Sequence, residues 1–130
     1  MEALANHPVA PAEDFEVMMH NNGVAIYGYK GKEEMVVIPE EIDGEKVVAI
    51  IGKAFGEGSG VKAVKITDTV YVLAEAFTDN EELQYVILGS GLKEVDMCAF
   101  QNCTSLIRVE SLSTAITLLC LSVSYWNVTL

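Results

Sequence analysis

From Val47 to Glu110 the apolar positions recur at a spacing that is neither the two-residue alternation of a lone strand nor the period of a helix. Short apolar runs end in Ala54-Phe55, Ala76-Phe77 and Ala99-Phe100, and the phenylalanines stand 22 and then 23 residues apart. Six places after each Phe comes an aliphatic residue (Val61, Leu83, Leu106), nine places after it another (Val64, Val86, Val109), and five places before it a third (Ile50, Val72, Val95). Eleven places on, the series Ile66, Leu88, Ser111 loses its apolar member in the last copy. Internal periods of roughly 20 to 29 residues mark a solenoid, in which no single turn can bury its own apolar face and the turns therefore stack. Val64-Lys65-Ile66, Val86-Ile87-Leu88 and Val109-Glu110-Ser111 are the expected parallel strands, with Val64, Val86 and Val109 inward. The Ala-Phe pairs are expected opposite them in a short helical turn, with Phe filling the interior.

Upstream of the repeats the pattern changes to alternation. Phe15, Val17 and Met19 fall on one face, and Val24 and Ile26 resume after Asn21-Asn22-Gly23, which predicts a β-hairpin capping the first solenoid turn. Met35 to Ile38 is a further strand stopped by Pro39, which cannot donate to a ladder. Glu40 to Lys46 reads as a turn centred on Asp43-Gly44. Residues 1–12 contain two prolines and little periodicity, so they are expected to form a flexible lead-in that contributes little. The domain organisation is thus a lead-in (1–12), an N-terminal β cap and entering strand (13–46), three repeats (47–111) and an atypical apolar C-terminal segment (112–130).

The run Leu92-x-x-Val95-x-x-x-Ala99-Phe100-x-x-Cys103-x-x-Leu106-x-x-Val109 resembles the BspA-like leucine-rich repeats. Gly28-Tyr29-Lys30-Gly31, Val36-Val37-Ile38-Pro39 and Ile42-Asp43-Gly44 are similar to the module that often precedes the first repeat of that family, so the resemblance covers roughly residues 13 to 111. It implies an α+β solenoid of about three repeats of 22 to 23 residues used as a binding scaffold, commonly on bacterial surfaces, with no catalytic motif to carry over.

Composition changes this picture only at the margins. A chain of 130 residues with 51% hydrophobic residues suits one domain with an ample core. With 19 acidic against 8 basic residues the net charge is -11, which repels nucleic-acid phosphates and anionic lipid headgroups. Surplus carboxylates as a solubilising surface outweigh an acidic docking face, and Glu40, Glu41, Asp43 and Glu45, which could attract a cation, lack an EF-hand's spacing and read as a solvated loop. Cys98, Cys103 and Cys120 are an odd set without zinc-site spacing, and His7 and His20 lie far from them, so no metal and no cofactor is expected. Cys103 takes the place of Gly58 and Asn80 three residues after Phe and reads as a small packed residue at a turn. Ser59 and Ser90 form no Gly-x-Ser-x-Gly elbow, no histidine belongs to the repeats, and Gly56 to Gly60 lacks the Lys of a phosphate loop. An enzyme is not expected.

Function is sought instead on the outward strand positions. Lys65, Ile87 and Glu110, with Ala63, Tyr85 and Arg108 two residues earlier, face away from the core. The candidate ligand-binding column is Lys65, Tyr85, Ile87, Arg108 and Glu110, because Tyr and Arg are enriched where protein partners bind tightly and Ile supplies an apolar centre. The competing reading is of ordinary surface residues, covered by a neighbouring loop or tolerated singly. Residues 111–130 carry no charge, and their polar content argues against a membrane span. Residues 112–130 are expected to cover the last coil in part and to promote self-association. The expectation is a non-catalytic protein-binding module, at the cell surface if the family is followed. The alternative is an intracellular structural or assembly protein, since no signal peptide is visible in this chain.

Overall fold

The computed structural model describes residues 2–96 and 98–110. Its chain begins with one helical turn, α1 (Glu2–Ala5), and a second single turn at Ala12–Asp14. Ten strands follow: β1 (Phe15–His20), β2 (Gly23–Tyr29), β3 (Met35–Val37), β4 (Glu41–Ile42), β5 (Glu45–Ile51), β6 (Ala63–Lys65), β7 (Val72–Ala74), β8 (Tyr85–Ile87), β9 (Glu94–Val95) and β10 (Arg108–Glu110). The expected solenoid is present, built almost wholly of strands. One parallel sheet runs β3-β6-β8-β10, in the register Val36, Val64, Val86, Val109. The other runs β2-β5-β7-β9, with β1 antiparallel on the outer edge of β2 and β4 antiparallel on β5.

Each coil therefore crosses two sheets, and among the described residues four coils stack rather than the three expected. The extra coil is β2 to β3, and Gly28-Tyr29 stands where the later coils have Ala-Phe. Successive ring centroids are 5.5 Å apart from Tyr29 to Phe55, 5.8 Å from Phe55 to Phe77 and 5.1 Å from Phe77 to Phe100. The Ala-Phe segments are hydrogen-bonded turns, not helices, and they add a third row of bonds between coils: Phe55 N–H donates to the Ala76 carbonyl and Phe77 N–H to that of Ala99, each at 2.9 Å.

Register departs from the even spacing at one place. Ile50 pairs with Leu73, and Leu73 with Val95, so the buried rung of the middle coil is Leu73 and not Val72. Leu73 is fully buried while Val72 is half-exposed. The turn between strand and Phe is one residue shorter in that coil, which keeps both Leu73 and Phe77 inside. Val47, Val70 and Leu92 form a parallel buried row three residues before these rungs.

The hairpin divides its duties differently from the expectation. Only β1 caps the coil, since β2 is itself a rung of the parallel sheet; Phe15 of β1 places its ring 5.6 Å from Tyr29 and 6.4 Å from Phe55. Asn21 supplies the positive backbone angle of the turn, at φ 51°. Gly23 lies inside β2, where a Cβ would collide with the Lys46 carbonyl of the next coil, so its lack of a side chain serves close approach. Met19, placed with Phe15 and Val17 by alternation, is 68% exposed, whereas Val17 packs against the core.

Asn80 closes the middle turn from within. Its side-chain amide donates to the carbonyls of Phe55 (2.9 Å) and Val61 (3.0 Å), and its carbonyl oxygen accepts from the N–H groups of Glu82 and Leu83, both at 3.0 Å. Cys103 has the same place one coil on, where its thiol donates to the Phe77 carbonyl at 3.0 Å. Burial pushes that thiol up to about 12, so it stays protonated at neutral pH. Asn102, beside it, donates to Asp79 at 2.7 Å across the two coils.

Three outcomes follow. Phe77→Ala removes a side chain packed against rings on both sides and should cost about 3 to 5 kcal/mol, read from the denaturation midpoint. An unchanged midpoint would contradict the stacking. Asn80→Ala strands two buried acceptors and two donors, each worth about 1 to 3 kcal/mol when unpaired, and should lower the midpoint more than Cys103→Ala does. Cys103 should resist a thiol reagent at pH 8 until denaturant is added, while the half-exposed Cys98 reacts in the native protein; peptide mapping by mass spectrometry separates the two.

Candidate functional site

Strand pairing brings the sequence-predicted residues onto the outer face of one sheet. Ala63, Tyr85 and Arg108 stand in register on β6, β8 and β10, and Lys65, Ile87 and Glu110 form the neighbouring row. β3 extends both rows, since Met35 pairs with Ala63 and Val37 with Lys65. The face thus carries two rows of four outward positions. Val36, Val64, Val86 and Val109 point the other way and are buried.

The five candidate residues are all half-buried. Arg108 Nη2 lies 3.0 Å from Glu110 Oε1 along the same strand, an ion pair open enough to solvent to contribute little stability by itself. Arg108 Nε has no hydrogen-bond partner among the described residues. Ile107, just before β10, is 53% exposed. Chemically the face grades from apolar at β3, through Tyr85 and Ile87, to charged at β10.

Periodicity missed what covers the apolar end. Leu4 of α1 is 2% exposed and belongs to a cluster with Val37 and Ala63, flanked by Met35, Tyr85 and Ile87. Lys65 Nζ donates to the Ala5 carbonyl at 3.5 Å, and Ala10 N–H donates to the Val37 carbonyl at 3.0 Å. The lead-in expected to contribute little therefore lies on the candidate face. A signal was available in Met35-Val36-Val37, which is apolar on both sides of a strand, and in Leu4, the one branched aliphatic residue among the first eight.

Elsewhere the chemistry is sparse. The acidic turn forms a small hairpin in which Ile42 is buried and Glu40, Glu41, Asp43 and Glu45 point to solvent. Among the described residues no group of three or more His, Cys, Asp or Glu is placed to hold a metal, and no helix is long and apolar enough to cross a membrane. Ser59 Oγ is engaged in its own turn, accepting from Val61 N–H at 3.3 Å. Ser111, Cys120 and the C-terminal segment 112–130 lie outside the described residues.

No protein-family model and no curated protein matches the chain. Among solved structures it is similar to a leucine-rich repeat protein of T. pallidum, with a TM-score of 0.74 and 31% identity over 78% of this chain and 49% of that one. It is also similar in fold to a leucine-rich cell surface protein of Faecalibacterium prausnitzii A2-165, with a TM-score of 0.56 and 16% identity over 82% of this chain and 44% of that one. The chain spans about half the length of either neighbour. With stacked Phe rungs, a parallel valine ladder and these two likenesses, the chain belongs to the leucine-rich repeat proteins, consistent with the BspA-like family that its repeats resemble.

Proposed function

We propose that this chain is a non-catalytic protein-binding module whose contact surface is the outer face of β6, β8 and β10. One observation carries the reading: Tyr85 and Ile87 share one face of β8, and strand register sets Arg108 beside Tyr85 and Lys65 and Glu110 on either side of Ile87. An aromatic and an aliphatic side chain inside a ring of mixed charge is the usual anatomy of a protein contact, in which a few central residues carry most of the energy. A repeat scaffold suits this use because its strands hold the contact residues at fixed spacing. The neighbour from F. prausnitzii is a cell surface protein, and a surface location is the corresponding proposal here.

A second reading is self-association at the C-terminal end. It is favoured by Ile107, which is exposed beside the last described strand of its sheet. Sedimentation of the full chain at rising concentration checks this reading, and a strictly monomeric protein would count against it.

For the first reading, Tyr85→Ala and Arg108→Ala should each weaken binding to a protein captured by the wild-type chain by about 1 to 3 kcal/mol, with thermal midpoints almost unchanged. Titration calorimetry is the measurement. Unchanged affinity in both variants would move the site off this face.

A further inference from the structure

Leu4 is buried although Ala3, Ala5 and Asn6 around it are exposed. Its cluster is separate from the interior core, which lies on the other side of the sheet. The segment is held by that one leucine, by the Lys65 contact to the Ala5 carbonyl, and by the Ala10 amide on Val37. Among the described residues Val37 belongs to β3, the edge strand of its sheet, and its carbonyl accepts from the Ala10 amide. These three attachments, with Ala10 packed against the interior core at its far end, hold about nine residues whose ordering each costs backbone entropy. By contrast, a core of stacked coils holds the sheet beneath. The segment is therefore held more lightly than the sheet it covers, and a competitor for that face has few contacts to replace.

The geometry points to a peptide-binding site on the outer face of β3, β6 and β8 whose resident occupant is the chain's own segment 2–10. The partner that replaces it offers the same chemistry: a short helical turn bearing one branched aliphatic side chain, a main-chain carbonyl for Lys65 Nζ, and a main-chain N–H for the Val37 carbonyl. This rests on the strand-face reading above and adds its regulation, because partner and segment 2–10 compete for Tyr85 and Ile87. Release of Leu4 exposes the apolar end of the face, and binding covers it again.

The test uses full-length chains and a synthetic peptide of residues 1–10, added up to millimolar concentration. High concentration is needed because a free peptide lacks the effective concentration, on the order of millimolar, that a short tether supplies. The readout is the movement of the Val37, Ala63, Tyr85 and Ile87 amide resonances in wild type, Leu4→Ser and Leu4→Ser/Ile87→Asp chains, with circular dichroism checking that each is folded. Leu4→Ser should bind the peptide saturably and move toward wild-type positions. Wild type should respond at least tenfold less at equal peptide, and the added Ile87→Asp should abolish the response. If Ile87→Asp unfolds the chain, Tyr85→Ala takes its place. Equal binding by wild type and Leu4→Ser, lost on Ile87→Asp, would overturn the competition while leaving the strand face as a binding surface. No binding to Leu4→Ser, or binding that survives the face variants, would overturn the inferred site; the Tyr85 and Arg108 titrations then judge the strand-face reading separately.

Discussion

Coil-on-coil stacking is the constraint on which everything else in this chain depends. A turn of 22 or 23 residues has an inside only one side chain deep, so its phenylalanine and valine are covered above and below by the neighbouring turns and not by their own. The aromatic column Tyr29, Phe55, Phe77 and Phe100 and the valine column Val36, Val64, Val86 and Val109 are the two poles of that interior. Between them the rungs Ile26, Ile50, Leu73 and Val95 fill the second sheet's inner side. Ala54, Ala76 and Ala99 allow the turns to approach, and the same turns exchange backbone hydrogen bonds with the next coil. Dispersion and backbone pairing thus act along one axis, and a defect in one coil is felt by its neighbours.

Tight turns inside such a coil leave backbone groups buried without a ladder to join. Asn80 answers this by pairing two carbonyls and two amides with one side chain. Cys103 does less, with one thiol donor to one carbonyl. Where the first repeat has Gly58, at φ 81°, there is no side chain at that place at all. The three copies therefore solve one problem in three ways. The left-handed corner moves with the solution, to Asp79 and Asn102 in the later coils, whose short polar side chains tolerate that conformation and bond to each other.

The solenoid and its inward and outward strand positions were readable because a repeat states each position more than once. Val64, Val86 and Val109 share a place in sequence and in space, and the five candidate surface residues fall on one face as alternation requires. Slippage was not readable: fixed counting back from Phe77 lands on Val72, and only pairing with Ile50 and Val95 reveals Leu73. The first coil escaped because Tyr29 replaces Phe and its spacing to Phe55 is longer, at 26 residues. Its rung is recognised by the ring it stacks on. The second parallel sheet escaped too, since two- and three-residue strands such as Glu94–Val95 are too short to show alternation. Leu4 is the hardest case. A single leucine in an aperiodic stretch has no pattern, and its burial follows from where the sheet puts Val37 and Ala63.

That last contact bears on how a repeat surface becomes a specific one. An outer face of stacked strands presents its residues in rows, so on the proposed reading a partner is selected by the row it meets. Here the row is uneven: Met35, Val37 and Ala63 make one end apolar, while Arg108 and Glu110 make the other charged and paired. An exposed apolar end invites indiscriminate contacts, and a free edge on β3 invites strand addition. Segment 2–10 answers both at once, with Leu4 on the apolar end and Ala10 on the edge carbonyl. Any protein that engages Tyr85 from the apolar side meets Leu4 first, whereas one approaching from Arg108 does not. On the proposed reading, the direction of approach, set by one leucine turn, is what separates partners that the strand face alone would treat alike.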